Sequence, residues 1–417
     1  MTHDSPLRIL AGLAAGLVLG GFAFALAGDA PWLKSLLANV LDPAGKIFLG
    51  LFIMLMIPLV ASSLMLAVAE FRDVRALGRV GAKTFAYTIA VSAIAVLIGV
   101  GLMNALQPGV GAQALRELAR DTGLQPAQQA SGIDFVVNLV PRNIVKSLAE
   151  GDLLALMVFS LFIGLGIAAA RTAASRSFEE SVRGVYDVSI RLMGLVLRLA
   201  PYGVACLMFA MVARVGGEVE RVFAYVAIAF LGLALHQFGV YSLSVWLLGG
   251  MTPTHFFRAV RLPMLTAFST ASSAATLPVA LRAADEELRL PSHVSRFVLT
   301  LGSTANQNGT ALFEGVTVLF LAQIYEVPLS LAQQVTVVFI CILGGIGTAG
   351  VPAGSLPVIL MILGLIGIPA DALGIVFGVD RFLDMCRTTV NVTGDLAAAV
   401  VVARGEPALP GREPESV

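Results

Sequence analysis

A chain of 417 residues that is 57% hydrophobic and only 13% charged, with a mean hydropathy of +0.88, lies outside the composition of any water-soluble domain. Its 27 basic and 27 acidic residues cancel, which excludes a nucleic-acid partner held by bulk charge. Cys206, Cys341 and Cys386 lie in apolar runs without CxxC spacing, so they read as small buried hydrophobes rather than disulfide or metal-cluster residues.

In chain order, apolar runs at residues 7–27, 47–69, 85–106, 153–170, 188–212 and 222–248 each approach the roughly 20 residues that a spanning helix needs. The composition therefore predicts a polytopic, all-α membrane protein. The first run is flanked by a single Arg8 and leads through Gly28 and Asp29 into Pro31 and more apolar sequence. It lacks a convincing cleavage site and reads as a retained helix. Arg72, Arg75, Arg79 and Lys83 follow the second run, whereas Arg116 and Arg120 after the third are balanced by Glu117 and Asp121. That bias predicts a cytoplasmic N-terminus.

From Met251 onward the apolar segments are interrupted. Residues 253–287 are broken by the small and polar stretch 268–278, and residues 328–366 by the glycine-rich stretch 344–355. Pro and Gly in mid-run free backbone groups that hydrocarbon cannot satisfy, so such backbone must be buried in protein or line a cavity. Each segment is predicted to be a re-entrant helical hairpin. Each is followed by a helix with its own polar interruption, residues 302–310 after the first and 384–395 after the second. The order hairpin, helix, hairpin, helix is an internal repeat, and paired interrupted segments point to a midplane binding site in secondary transporters. Residues 404–417, rich in Pro and Glu, are expected to be a disordered cytoplasmic tail.

The strongest chemical signal is in the last apolar segment, which carries Asp380, Arg381, Asp384, Arg387, Thr388, Asn391 and Asp395. At about 100° per residue the positions from Asp384 to Asp395 fall on one stripe. A charge at the bilayer centre costs on the order of 2.5–3.5 kcal/mol even on the lenient insertion scale. Five charges on one helix therefore require partners, ions or a polar ligand.

Four stretches, residues 270–278 (TASSAATLP), 306–310 (NQNGT, a variant of an NMDGT signature), 347–352 (GTAGVP) and 384–395 (DMCRTTVNVTGD), are similar to motifs of the dicarboxylate/amino acid:cation symporters. That family includes archaeal aspartate and mammalian glutamate transporters, and the likeness runs over nearly the whole chain. The resemblance implies eight transmembrane helices plus two re-entrant hairpins in inverted repeats, assembled as a homotrimer. It divides the chain into scaffold helices at 1–80 and 130–217 and a transport unit made of the third helix at 81–107 and residues 218–403, with the tail at 404–417.

The resemblance also implies residue roles. Arg387 would hold the side-chain carboxylate of an acidic amino acid with its planar guanidinium. Asp384 would accept the ammonium group and Asn391 would donate to the α-carboxylate. Thr388 and Thr310 would add hydroxyls, and Ser272, Ser273, Val351 and Ser355 would contribute hairpin-tip groups. Asp395, Asn391, Asn306 and the Gly302 carbonyl match one sodium site, and carbonyls around Thr304, Gly345, Ile346 and Thr348 match a second. These are the oxygen ligands a hard cation takes. No resident cofactor is expected, sodium and a proton being co-transported. Glu314 stands where proton-coupled members carry a glutamate, and a carboxyl facing a closing cavity can take up a proton in one state and release it in another.

Two departures matter. A third sodium site needs an aspartate where this chain has Asn308, with Thr88, Val91 and Ser92 at the helper positions, so that site is expected to be weak or absent. Ala271 and Met385 occupy the two positions where relatives place a further arginine, and Arg381, three residues before Asp384, is the candidate replacement that tunes Asp384 or Asp380. Blander readings stand beside these roles. Asp384 and Arg387 can simply pair at i and i+3, Asp395 can be satisfied by Asn306, Glu314 can be a hydrogen-bonded group that never titrates, and Arg381 can anchor near headgroups.

The reading that results is a multi-pass inner-membrane symporter for aspartate or glutamate with both termini cytoplasmic, gated outside by residues 351–355. A C4-dicarboxylate carrier and a passive anion channel with Arg387 as its selectivity element are the rivals. An enzyme is not expected, because Ser272 and Ser273 have no histidine partner in their segment, His236, His255 and His293 belonging elsewhere.

Overall fold

The computed structural model describes residues 5–28, 30–69, 78–115, 143–149, 153–170, 172–347, 354–369 and 372–406. Every regular element among them is helical. Helix α1 (Ser5–Ala27) and the short α2 (Pro31–Leu36) lead into α3 (Asp42–Ala69) and α4 (Gly78–Leu106). After α5 (Ile144–Ala149) come α6 (Leu153–Ala170) and α7 (Ala173–Val215). Helix α7 starts well before the apolar run at 188. A capping box between Thr172 and Ser175 fixes its first turn, and Glu179 and Arg183 pair at i, i+4 at 3.8 Å, so polar sequence extends the helix where apolar patterning ends.

The next crossing is α8 (Val219–Ala234), a π-helical stretch (Leu235–Val240) and α9 (Tyr241–Leu247). Among the described residues, Arg79–Leu106 and the stretch Arg198–Leu247, which runs from α7 into α9, are by length and composition apolar enough to traverse a membrane. The first interrupted segment forms α10 (Pro253–Ala259), α11 (Arg261–Thr270) and α12 (Ser273–Arg282). Its break is narrower than the sequence indicates. Only Ala271, at φ 47° and ψ 41°, and Ser272 leave the helix, while Pro278 is inside α12. The Ser272 hydroxyl accepts from the Ala275 N–H at 3.2 Å, an N-cap that restarts the helix at once.

Helices α13 (Ser292–Ala305) and α14 (Asn308–Ile324) are separated by Asn306 and Gln307, at the predicted polar interruption. The second interrupted segment gives α15 (Leu331–Gly347) and α16 (Leu356–Leu365). Its tip, with Thr348 and Val351, lies outside the described residues. The last helix, α17 (Leu373–Ala403), runs 31 residues without a break. The 384–395 stripe interrupts the apolar pattern through its side chains alone, and its backbone is helical throughout.

Helix α1 packs on α7, and α3 on α6 and α7. A Cβ on Gly16 would stand 2.6 Å from the Ala205 carbonyl oxygen and one on Gly20 2.9 Å from that of Phe209. The glycine stripe therefore lets two backbones touch where lipid gives helices no hydrophobic reason to associate. A second set surrounds α17, which packs against α8, α11, α13 and α14, with α4 and α15 against α14. Apart from Gln323, α14 is buried along its whole length, as a helix apolar on all sides must be. The two sets meet where α16 touches α6 and α17 touches α7. Cys341 and Cys386 are buried as expected, whereas Cys206 is only half-buried.

Candidate functional site

The polar side of α17 faces inward. Asp380, Asp384, Arg387, Thr388, Asn391 and Asp395 are all buried. Arg387 is 1% exposed. Its Nη1 donates to Asp380 Oδ1 at 2.8 Å, its Nη2 is 3.0 Å from Asp384 Oδ1 in an ion pair, and its guanidinium is 4.3 Å over the Phe313 ring of α14. Arg381 Nη1 donates to the other Asp384 oxygen at 3.0 Å. Two carboxylates and two guanidinium groups thus alternate along the helix and cancel in charge. Removing any one leaves an uncompensated buried charge, which typically costs about 3–5 kcal/mol. Nη2 of Arg387 thus meets Asp384 as an ion pair without a hydrogen bond of proper geometry.

One turn further, Asn391 closes onto the α13–α14 gap. Its Oδ1 accepts from the Gly309 N–H at 2.8 Å and the Thr310 N–H at 3.4 Å. Its Nδ2 donates to Thr310 Oγ1 at 2.9 Å and Gln307 Oε1 at 2.5 Å. The approach requires glycine at 309, because a Cβ there would stand 2.6 Å from the Arg387 carbonyl oxygen. Among the described residues, the buried hydroxyls of Ser273 and Ser355 have no hydrogen-bond partner. Ser272 is engaged in its cap.

For the first cation position, Asp395 Oδ1 accepts from Asn306 Nδ2 at 2.9 Å and would stand 2.5 Å from a Cβ on Gly302. Asn306 Oδ1 is buried and has no hydrogen-bond partner among the described residues, and such an oxygen beside a carboxylate suits a hard cation. The Asn391 side-chain oxygen is committed to the α14 amides instead. For the second, Thr304 in the last turn of α13 donates to the Leu301 carbonyl at 3.0 Å, and Gly345 in the last turn of α15 packs near Gln307. Ile346 is in the same helical turn, and Thr348 lies outside the described residues.

Asn308 is at the centre of a neutral network. It accepts from Ser92 Oγ at 2.5 Å and donates to the Tyr241 hydroxyl at 3.1 Å, and that hydroxyl donates to the Val390 carbonyl at 3.0 Å. Its amide oxygen and one of its N–H groups are thereby engaged by protein groups. Glu314 is fully buried, and among the described residues neither of its carboxyl oxygens has a hydrogen-bond partner. Sequence reasoning missed Tyr241, Phe313 and Gln307. Only Gln307 carried a signal, as a polar departure inside the signature.

The profile described as "Sodium:dicarboxylate symporter family" matches residues 6–405. The chain belongs to that family. It is therefore a multi-pass transporter, not an enzyme. It is 32% identical over 414 residues to the proton/glutamate-aspartate symporter of Escherichia coli (strain K12), covering 96% of this chain and 92% of that protein. It is 32% identical over 410 residues to the proton/sodium-glutamate symport protein of Bacillus caldotenax, covering 96% and 94%. The neutral amino acid transporter B(0) of Oryctolagus cuniculus is 30% identical over 432 residues, covering 94% and 78%.

Proposed function

We propose that the protein is a secondary active symporter that accumulates aspartate or glutamate, driven by sodium and a proton. The observation that carries this is Arg387, buried between two carboxylates and over an aromatic ring. A zwitterionic guest with a second carboxylate matches that set: its anionic groups take guanidinium and amide donors while its ammonium takes a carboxylate. A neutral amino acid has no use for the guanidinium, which separates this chain from what the rabbit relative's name describes. Asp395 with Asn306 and Gly302, and the α13 and α15 termini, are the two sodium positions. Glu314 is the proton carrier, and the neutral Asn308 network replaces a third sodium.

Alternating access follows from the two packing sets. The set around α17, with both hairpins, carries the solute past the set of α1, α3, α6 and α7. The latter mediates a homotrimer, and the tip at 351–355 gates the outer side. Arg79, Lys83 and Arg404 gather where α4 begins and α17 ends, which supports cytoplasmic termini in an inner membrane.

A C4-dicarboxylate carrier is the second reading, and one contact favours it: both Asp384 oxygens already face guanidinium nitrogens, so that carboxylate does not need an ammonium. The test is uptake of labelled aspartate by purified protein in sealed proteoliposomes, with sodium, proton and voltage gradients imposed one at a time. Uphill accumulation that unlabelled glutamate competes and succinate does not is the expected result. Stronger competition by succinate establishes the second reading, and uptake that only equilibrates identifies a passive channel.

A further inference from the structure

Far from the solute site, three cations meet at one end of the molecule. Arg79, Lys83 and Tyr87 recur at every fourth position of α4, so they share one face. The Tyr87 and Ser244 hydroxyls are 2.9 Å apart, which sets that face beside α9. One and two turns earlier in α4, Lys83 Nζ donates to Glu406 at 2.8 Å, and Arg79 donates to it from Nε at 3.0 Å and Nη2 at 2.6 Å. Arg404 donates from Nη1 to the carbonyls of Leu247 and Leu248 at 3.0 Å each, and its guanidinium carbon is 3.5 Å from where a Cβ on Gly250 would stand. The cluster therefore joins the start of α4, the end of α9 and the end of α17. Three cations against the one Glu406 carboxylate leave it with an excess of positive charge.

These cations are accessible. The Arg79 side chain is 67% exposed and that of Lys83 40%, and Arg404 is exposed as well. Among the described residues Arg79 engages Glu406 through Nε and Nη2, and Arg404 engages its carbonyls through Nη1 alone. Both keep guanidinium N–H groups for the paired contacts that phosphate oxygens accept. The adjoining surface is apolar: Leu243, Trp246, Leu247 and Leu248, along α9 and at its cap, are each more than half exposed. In a membrane protein, an exposed tryptophan among leucines beside basic side chains marks the headgroup boundary, where the ring and alkyl groups meet acyl chains and the cations meet phosphate. A soluble anion would use the charges and leave the apolar flank idle, whereas a phospholipid uses both.

We infer that this cluster binds the headgroup of an anionic phospholipid, the phosphate between Arg79 and Arg404 and the acyl chains along Trp246 and the α9 leucines. Phosphatidylglycerol suits it because its charge is not cancelled. Phosphatidylcholine does not, because its trimethylammonium group would meet cations of like sign. A lipid held there bridges α4 and α17 alongside Glu406, and so fastens the same helix ends.

The chain has two tryptophans, Trp32 and Trp246, so in a Trp32→Phe background the fluorescence of Trp246 reports the lipid beside it. The full-length Trp32→Phe protein is reconstituted in mixed phosphatidylcholine and phosphatidylglycerol vesicles, with brominated acyl chains on one lipid or the other as quencher. Phosphatidylglycerol is expected to be favoured over phosphatidylcholine at Trp246 by about fivefold, the scale of one interfacial cation. Arg79→Gln and Arg404→Gln should each bring that ratio down toward one. Arg183→Gln, which removes an exposed charge from α7, should leave it unchanged. Should Arg404→Gln not fold, because it uncaps α9, Arg79→Gln carries the test, its side chain being largely exposed. Equal quenching by the two lipids overturns the inference. So does a preference that survives Arg79→Gln, or one that Arg183→Gln lowers as much, which is diffuse attraction to a positive surface.

Discussion

Arg387 is expensive to bury, and its surroundings specify what it is for. A lysine would keep the charge, but it is a compact ammonium that cannot span Asp380 and Asp384 or present a planar fork to a carboxylate. Arg387→Lys is therefore expected to weaken acidic amino acid binding about 10–100-fold, the range for hydrogen bonds to charged groups. The check is equilibrium binding of aspartate by purified protein. Affinity equal to wild type would mean the guest does not use the fork. Glu314 poses the other residue-scale question. It is fully buried, and neither carboxyl oxygen is hydrogen-bonded, so the group has no structural bond to lose. Glu314→Gln is expected to retain sodium-driven uptake and to lose the response to an imposed pH gradient. A variant that kept the full response would exclude Glu314 as the proton carrier.

At the scale of elements, much of the molecule was legible because breaks in helices are written locally. Asn306, Asn308 and Gly309 signalled the gap between α13 and α14, and the serine run signalled the turn at Ala271 and Ser272. The polar face of α17 was legible as one helical stripe, because its residues recur at helical spacing. The Asp384–Arg387 contact could be read from an i, i+3 spacing. The Arg387–Asp380 bond two turns away, and the roles of Tyr241 and Gln307, depend on how distant elements meet. The α1–α7 interface emerges only from the structure, where glycine at every fourth position from Gly12 to Gly20 meets the α7 backbone. Gly16→Leu should force the two backbones apart and lower stability by about 1–3 kcal/mol, the usual cost of overpacking. A thermal midpoint in detergent indistinguishable from wild type would show that the helices have room to spare.

For the whole molecule, the end of α17 fastens the set of helices around it. Arg404 Nη1 donates to the carbonyls of Leu247 and Leu248, at 3.0 Å each, closing α9. Glu406 accepts from Arg79 Nε at 3.0 Å and Nη2 at 2.6 Å, and from Lys83 Nζ at 2.8 Å, which anchors the start of α4. The hydrogen bond from Arg79, followed by that from Lys83, holds the Glu406 carboxyl down to about 2. Because the folded value lies below the unfolded one, about 4.3 for a glutamate, the contribution is full above the unfolded value and lost as pH falls toward the folded one. Wild type should therefore melt above Glu406→Gln by a constant margin from about pH 5 to 8, and the margin should narrow between about pH 4.3 and 2. Since Arg79 is largely exposed, the margin should be small and should shrink in about 1 M salt, where charges are screened within about 3 Å. The measurement is the thermal midpoint of both proteins in detergent across that pH range at low and high salt. A margin that persisted undiminished at about pH 3 and in high salt would show that Glu406 acts without its charge, and no margin at any pH would make its ion pairs incidental and leave the anchor to Arg404 and its carbonyl contacts.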